Sequence, residues 1–392
     1  MPAKFIQSGP LYYANTIINA FSVQHPPPPA TVLSIRLVTV GISHYCEKGR
    51  WALDLSSSSE EQPPSSSLPA VDYIEDAHPP GLASFAALSL SKTVSAAPVV
   101  LVRDVQASRS YVLSDSTTIL QRLAPFLYSS PSHGENENEV ELWEEELDRR
   151  LGATARCWVY HTLLDVKQRP VLVRMATKDT SLVESMVFKA LVSRGGLSSS
   201  MRKLMRIDDG TAASSLAEIR AVFDEVGEAL KRGKAEGGSG NFLVHERFTA
   251  ADLTFAALAG PVLLPPQLAH TYPKLAELPE ETRKVILELR GTAAGMYAME
   301  TYDRFRFAKH QQRLEGGGGA GGGAALPRRE GFNNNKNKIN VVKPVEKGAS
   351  TRTVVTYRSG GLSRTRKLPL VALGAALVAT STLAASQLWF SS

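Results

Sequence analysis

The chain has 392 residues, of which 43% are hydrophobic and 21% charged, a composition typical of a globular protein with room for two domains. Its two cysteines, Cys46 and Cys157, are too few for a disulfide framework and are typical of a reducing, cytosol-facing compartment. The net charge of +6 is uneven, because residues 310–367 carry 12 basic and 3 acidic side chains. That segment has almost no aromatic residues, so it favours anionic lipid headgroups and excludes a base-stacking nucleic-acid surface.

Residues 1–30 are predicted to be a flexible extension that ends in the stiff polyproline sequence HPPPPA. No acidic residue precedes Glu47, as in some organelle presequences. However, Lys4 is the only Lys or Arg of the extension, so the pattern does not favour a cleaved transit peptide.

Residues 31–127 alternate between strand-like and helix-like patterns. The strand-like segments are TVLSIRLVTV, AVDYIED, APVVLV and SYVLSD, and the last two are predicted to form a hairpin. The helix-like segments are YCEKGRWALDL, FAALSLS and DSTTILQRLAPFL. The resulting order βαβαββα is the thioredoxin-like pattern, which predicts an α+β domain over this range.

After a hydrophilic hinge at 128–139, residues 140–309 are predicted to form an all-α domain. Thr249 and Asp252 in FTAADL have the spacing of a capping box and are interpreted as structural. The segment from Leu278 to Met299 reads as one helix that begins after a proline. The acidic residues Glu144 to Glu146 are interpreted as a solvated helix face.

Two further segments complete the chain. Residues 310–367 are Gly-rich, basic and of low complexity, which predicts a disordered linker. Residues 368–390 contain no charge and are long enough to cross a bilayer as a helix. The basic residues just before Leu368 predict a tail anchor with the folded domains facing the cytosol. The target organelle is left open.

The turn between the first strand and the first helix has the sequence Ser43-His44-Tyr45-Cys46, in which Ser stands where a Cys-x-x-Cys redox motif has its first cysteine. A helix N-terminus favours an anion such as a thiolate. Ser43 cannot supply the sulfur, but its hydroxyl can donate a hydrogen bond to one. The pattern therefore predicts that the reactive sulfur belongs to a cosubstrate.

Four motifs in this order resemble those of cytosolic-type glutathione S-transferases of the serine-type branches. They are ISHYCEKGRWALD, APVVLV, LSDSTTILQRL and FTAADL, and the resemblance extends from about Val32 to Arg306. It implies the glutathione S-transferase fold, a thioredoxin-like domain followed by a helical domain, with glutathione as cosubstrate. A homodimer is left open.

The resemblance also implies roles for single residues. Ser43 would activate the glutathione thiol, and Ala97 with Pro98, in a cis peptide bond, would hold the peptide backbone. Asp115 and Ser116 would bind the γ-glutamyl group. Lys92 is the candidate partner of the glycine carboxylate, on a looser match.

Each candidate has a structural alternative. Ser43 could be only a helix N-cap, and Asp115 and Ser116 could cap the next helix. His44 departs from the proline usual in the family's turn and is predicted to face solvent, whereas Cys46 is predicted to be a packed small residue. The histidines and cysteines show no metal-ligand spacing, so no metal is expected.

The favoured function is therefore that of a membrane-anchored transferase that conjugates glutathione to small electrophiles. The alternative is a catalytically silent, tail-anchored adaptor of the same fold in organelle dynamics or import. Ganglioside-induced differentiation-associated proteins and metaxins have this arrangement of fold and membrane segment.

Overall fold

The computed structural model describes residues 4–5, 34–56, 73–104, 109–128, 139–235, 237, 240–244 and 247–307, with the backbone alone for 4, 5, 104 and 109. The linker at 310–367 and the membrane anchor at 368–390 lie outside these ranges. So do the loop at 57–72, residues 129–138 of the hinge and most of the extension at 1–30. No helix within the described ranges is both long and apolar enough to cross a membrane.

A five-stranded mixed sheet forms the centre of the first domain, in the spatial order β1-β3-β2-β4-β5. Its strands are β1 (Lys4–Phe5), β2 (Ser34–Thr39), β3 (Tyr73–Ala77), β4 (Val99–Asp104) and β5 (Arg109–Ser114). β2 pairs in parallel with β3 and antiparallel with β4, and β4 pairs antiparallel with β5. These directions confirm the predicted hairpin and the thioredoxin-like order of elements from β2 onward.

Strand β1 departs from the prediction, because it belongs to the segment predicted as a flexible extension. Lys4–Phe5 pairs in parallel with Ile74 and Glu75 of β3. Without this pairing β3 would be an edge strand with unpaired backbone groups, which explains why a short segment adds there.

Three helices cover the two faces of the sheet: α1 (His44–Ser56), α2 (Ala83–Ser91) and α3 (Ser116–Leu123). Because side chains alternate along a strand, Ile35 and Leu37 of β2 belong to one core with α1 and α3. Val38 points to the opposite face and packs with Ala86 and Leu90 of α2. The sheet is therefore a central layer between helices.

The second domain is helical, as predicted. Its helices are α4 (Glu139–Leu147), α5 (Ala153–Leu163), α6 (Arg169–Ala176), α7 (Leu182–Ser193), α8 (Gly196–Leu204), α9 (Asp209–Ala235), α10 (Ala250–Leu263), α11 (Glu280–Gly291) and α12 (Ala293–Thr301). A π-helical turn, Asp148–Gly152, joins α4 to α5, and another, Tyr302–Arg306, follows α12. Single 3₁₀ turns occupy Pro125–Leu127, Val166–Gln168, Pro266–Leu268 and Leu275–Glu277.

Two predictions in this domain have different outcomes. The capping box at the start of α10 is confirmed, since the Thr249 backbone N–H donates to the Asp252 carboxylate at 2.7 Å. The single helix predicted from Leu278 to Met299 is wrong, because the chain breaks between α11 and α12. At the break Thr292 is extended, with ψ of 159°, and its hydroxyl accepts from the Gly295 N–H and caps α12.

The two domains share one hydrophobic core. Trp51 of α1 is fully buried, and its ring centroid lies 4.9 Å from that of Tyr302 and 6.0 Å from that of Phe248. Arg306, at the end of the helical domain, forms ion pairs at 2.5 Å with Glu47 and with Asp54 of α1. Helix α1, which follows the Ser43 turn, is therefore fixed by contacts from the second domain.

Candidate functional site

Ser43 is the residue immediately before α1. Its hydroxyl accepts a hydrogen bond from the Cys46 backbone N–H at 3.4 Å, which is the contact of a helix N-cap. Its own backbone N–H donates to the Val40 carbonyl at 2.9 Å, which closes the turn after β2. The side chain is half-buried. Ser43 is thus a helix N-cap, the structural role that was the alternative to a catalytic one. Its hydroxyl proton remains available for a second partner.

Arg50 fixes this turn from one side. Its guanidinium donates to the carbonyls of Val40 and Gly41 at 3.4 and 3.5 Å, and it pairs with Glu75 at 2.6 Å. Burial alone would lower the pKa of Arg50, but Glu75 and Glu47 outweigh burial and raise it. Arg50 therefore stays charged and holds the backbone that leads to Ser43. Arg50 lies in the motif ISHYCEKGRWALD, but the sequence predicted no role for it.

The strand register brings the other predicted residues to the end of the sheet at which the Ser43 turn lies. Val99 pairs with both Val38 of β2 and Ser114 of β5. Pro98 and Asp115 are the next residues beyond that row, at the edge where β2 ends and the Ser43 turn begins. The Ala97–Pro98 peptide bond is cis, as the resemblance implied. Three segments that are distant in sequence therefore meet at one edge of the sheet.

Asp115 adopts an unusual backbone conformation at this edge, with φ of 72° and ψ of 155°. Its carboxylate accepts from the Thr118 backbone N–H at 2.7 Å and from the Thr118 hydroxyl at 2.9 Å, so Asp115 is the N-cap of α3. A positive φ at a residue other than glycine costs about 1–3 kcal/mol and tends to occur at functional sites. The adjacent Ser116 is buried and begins the helix.

Lys92 lies six residues before Pro98, at the C-terminal cap of α2. It is exposed and has a left-handed backbone, with φ of 64°. The structure thus places Lys92 at the surface, on the segment that leads to the cis peptide bond. Its role toward a carboxylate remains a prediction.

The predictions for the turn residues His44 and Cys46 have different outcomes. The prediction that His44 faces solvent is wrong, because its ring is buried and its Nε2 donates to the Gly152 carbonyl at 2.9 Å. Burial lowers the pKa of His44 to about 4, so the ring is neutral at neutral pH. Cys46 is fully buried, as predicted, and burial raises the pKa of its thiol. A neutral, enclosed thiol is a poor nucleophile.

A small cavity lies between the turn that contains Ser43 and the helical domain. Its wall includes Ile42 and His44 from the turn, Arg156 and Tyr160 from α5, and Tyr272, with further apolar side chains between them. The volume is about 20 Å³, close to the space that one water molecule needs. A small organic molecule would therefore bind here only if α5 and the turn separated.

Lys48 is the principal site residue that the sequence analysis missed. Its side chain is fully buried, and its ammonium group lies 2.6 Å from Glu144 and 2.7 Å from Asp148, and 3.0 Å from the Thr117 hydroxyl. The prediction that Glu144 lies on a solvated face is wrong, because Glu144 is buried against this cation. Thr117 lies in the first turn of α3, directly after Asp115 and Ser116, whereas Glu144 and Asp148 belong to the helical domain. The cluster therefore holds the start of α3 against the helical domain.

A second buried cluster joins the domains at the end of β3. The Nδ1 of His78 lies 2.9 Å from a carboxylate oxygen of Glu184 in α7, and its Nε2 lies 3.1 Å from Asp76. Burial alone would lower the pKa of His78, but the two carboxylates raise it to about 9. His78 is therefore charged at neutral pH.

This cluster predicts a pH-dependent stability. The charged His78 stabilises the fold fully below pH 6.5, its ordinary pKa, and this contribution is lost as the pH rises through about 9. We expect the free energy of unfolding to fall by up to about 3 kcal/mol over that window. Denaturant titrations at successive pH values measure the effect.

The variant His78→Gln should remove most of that decline, whereas His161→Gln should leave it unchanged. His161 pairs with Asp209 at the surface, so its substitution is a matched control. A decline of equal size in His78→Gln would contradict the assignment.

Among solved structures, the chain is similar to glutathione S-transferase-I bound with the ligand lactoylglutathione, with 14% identity and a TM-score of 0.37 over 68% of this chain and 98% of that one. It is also similar to the beta-etherase LigF from Sphingobium sp. strain SYK-6, with 13% identity and a TM-score of 0.36 over 68% and 99%. No protein-family model and no curated protein matches the chain. Because both TM-scores lie below 0.5, the architecture rests on the sheet topology itself: a thioredoxin-like domain joined to a helical domain, with the candidate site at the sheet edge where the domains meet.

Proposed function

We propose that the chain binds glutathione at this edge and conjugates it to small electrophiles. The observation that carries the proposal is the register that aligns the Ser43 turn, the cis peptide bond and Asp115 at one end of the sheet. Helices α1 and α3 both begin at this end of the sheet, and helix N-termini favour anionic groups. Glutathione has a thiolate and two carboxylates to place there.

The proposed roles follow the resemblance residue by residue. Ser43 donates its hydroxyl proton to the glutathione thiolate, while its oxygen still accepts from the Cys46 N–H. The Ala97 backbone, set by Pro98, pairs with the peptide. Asp115 and Ser116 hold the γ-glutamyl end, and Lys92 is the candidate for the glycine carboxylate.

The cavity between the Ser43 turn and α5, lined by the neighbours of Ser43 on either side, is the proposed site of the electrophile. Its wall combines apolar side chains with the cation of Arg156 and the hydroxyl of Tyr160. This lining fits an apolar molecule with an anionic or hydrogen-bond-accepting group, such as one that acquires negative charge during conjugation. Access requires the cavity to widen, which is the expected induced change on binding.

The small cavity also favours the second candidate, a catalytically silent adaptor. In that case the Ser43 hydroxyl and the Asp115 carboxylate would serve only as the helix caps that they already form. The two functions differ in whether the chain retains glutathione, so a binding measurement separates them.

The test is calorimetric titration of the full chain with glutathione, followed by an assay of conjugation to chlorodinitrobenzene. We expect binding, and we expect Asp115→Ala to weaken it at least tenfold through loss of one charged hydrogen-bonding group. Asp208→Ala is the matched control, because Asp208 accepts from the Thr211 N–H at 2.7 Å and forms an equivalent cap before α9. A folded chain that binds no glutathione would exclude the transferase and leave the adaptor.

We further propose that residues 368–390 anchor the chain in a membrane, with the linker at 310–367 as a tether. The support is the length and apolar character of the sequence. Truncation after Lys367 should abolish carbonate-resistant membrane association. Retention of that association by the truncated chain would rule out the anchor.

A further inference from the structure

The segment between α5 and α9 has an unusual charge. Residues 164–208 include the short helices α6, α7 and α8 and contain nine basic and four acidic side chains, a formal net charge of +5. Residues 310–367 carry a further +9, whereas the entire chain has a net charge of only +6. The rest of the chain is therefore net negative, and this three-helix segment is the basic part of the described domains.

One side of α7 is apolar and exposed. Leu182, Val183 and Met186 are 71%, 58% and 63% exposed. The i and i+4 spacing of Leu182 and Met186 places them on one side of the helix. The opposite side, which includes Phe188 and Val192, is buried in the core.

Basic side chains adjoin this apolar surface. Lys189 follows Met186 at the i+3 position, and Arg194 caps the C-terminus of α7; both are exposed. Within the described part of the chain, neither takes part in an ion pair. The α7 face is defined here as these two basic residues together with Leu182, Val183 and Met186.

The acidic residue within α7 does not neutralise this face. Glu184 is on the buried side of α7, where it pairs with His78. Its backbone N–H also donates to the Ser181 hydroxyl at 3.2 Å, which caps α7. Asp179 is exposed three residues before α7 begins. These contacts hold α7 against the first domain, so the α7 face has a fixed orientation.

We propose that the α7 face binds the surface of an anionic lipid bilayer. Apolar side chains flanked by Lys and Arg are the pattern of interfacial helices, in which the apolar residues enter the headgroup boundary and the cations contact anionic lipids. Leu182, Val183 and Met186 would insert, and Lys189 and Arg194 would contact headgroups. This contact is independent of the glutathione site and of the proposed anchor.

Because an anchor at 368–390 would also attach the full chain to vesicles, the test must report on α7 itself. A fluorophore is attached at Ser193→Cys, and a control fluorophore at Met296→Cys, which is an exposed position on α12. Cys157, which is partly exposed, is replaced by serine in both proteins. Quenching by brominated lipids is then measured in vesicles with about 30% phosphatidylserine and in vesicles of phosphatidylcholine alone.

We expect quenching at position 193 in the anionic vesicles, with little at 296 and little in phosphatidylcholine. The double variant Leu182→Glu/Met186→Glu should reduce the quenching at 193 at least tenfold. Leu287→Glu is the matched control, because Leu287 is 54% exposed on α11 and outside the α7 face. All substituted positions except the half-buried Cys157 are exposed, so circular dichroism should confirm an unchanged fold.

Three results would overturn the proposal. One is equal quenching at 193 and 296, and another is quenching at 193 that is insensitive to the double variant or to the anionic lipid. The third is a concentration-dependent change of the 193 signal without vesicles, abolished by the double variant. That result would identify the apolar surface as a contact between two copies of the chain.

Discussion

Replacing Ser43 with alanine is expected to slow glutathione conjugation by roughly 10–100-fold, if one charge-assisted hydrogen bond of about 1.5–3 kcal/mol stabilises the bound thiolate. The pKa of the bound thiol should rise in the variant. Glutathione affinity should change much less, because the Ala97 backbone, Asp115 and Ser116 still hold the peptide. The rate of conjugation as a function of pH measures both effects.

The loss of the N-cap must be separated from the loss of catalysis. Ser43→Ala removes the hydrogen bond that the Cys46 N–H donates, at a cost of about 0.5–2 kcal/mol in stability. Ser181→Ala removes the cap of α7 together with a hydrogen bond to the buried Glu184 carboxylate, so its stability loss is an upper bound for the cost of losing a cap. Unchanged conjugation in Ser43→Ala, with the stability loss of a cap, would show that Ser43 is only structural.

Ser43→Cys has a different expected result. The introduced thiol would lie at the N-terminus of α1, which favours a thiolate, and would complete a Cys-x-x-Cys sequence with Cys46. Conjugation should fall, and reduction of a mixed glutathione disulfide should appear. Addition of Cys46→Ala tests whether the buried second thiol contributes to that reduction.

Replacing Lys48 with methionine should be the most destabilising single change among those considered. It would leave Glu144 buried and Asp148 partly buried without their shared cation, and breaking a buried pair in this way costs about 3–5 kcal/mol. The start of α3 should loosen as well, since Lys48 also binds Thr117. Denaturant titration at pH 7 measures the loss, and glutathione affinity should fall with it.

Two comparisons make the Lys48 result specific. Lys48→Met/Glu144→Gln should recover part of the stability, because the unpaired carboxylate is removed with the cation. Arg220→Met breaks an exposed ion pair with Glu288 and should cost less than about 1 kcal/mol. Equal losses for Lys48→Met and Arg220→Met would contradict the view that the buried cluster joins the domains.

Most helices and strands of the described domains could be predicted from the sequence, because their signals are local. Short apolar runs mark β2 and β4, helical spacing marks α1 and α9, and Thr249 with Asp252 marks the start of α10. Each of these signals depends only on residues that are close together in the sequence. The candidate residues Ser43, Pro98 and Asp115 were found by motif, and the strand register brings them together.

Which polar side chains are buried could not be predicted from the sequence. Glu144 and His44 read as solvent-facing, since an acidic run and a turn histidine are usually exposed, but partners more than 90 residues away in sequence enclose them. Lys48 neutralises Glu144, and the Gly152 carbonyl accepts from His44. The α7 face is the opposite case, in which apolar residues remain at the surface because the core beneath them is already filled by Phe188 and Val192. Burial depends on which distant segments pack together, and local sequence patterns do not encode it.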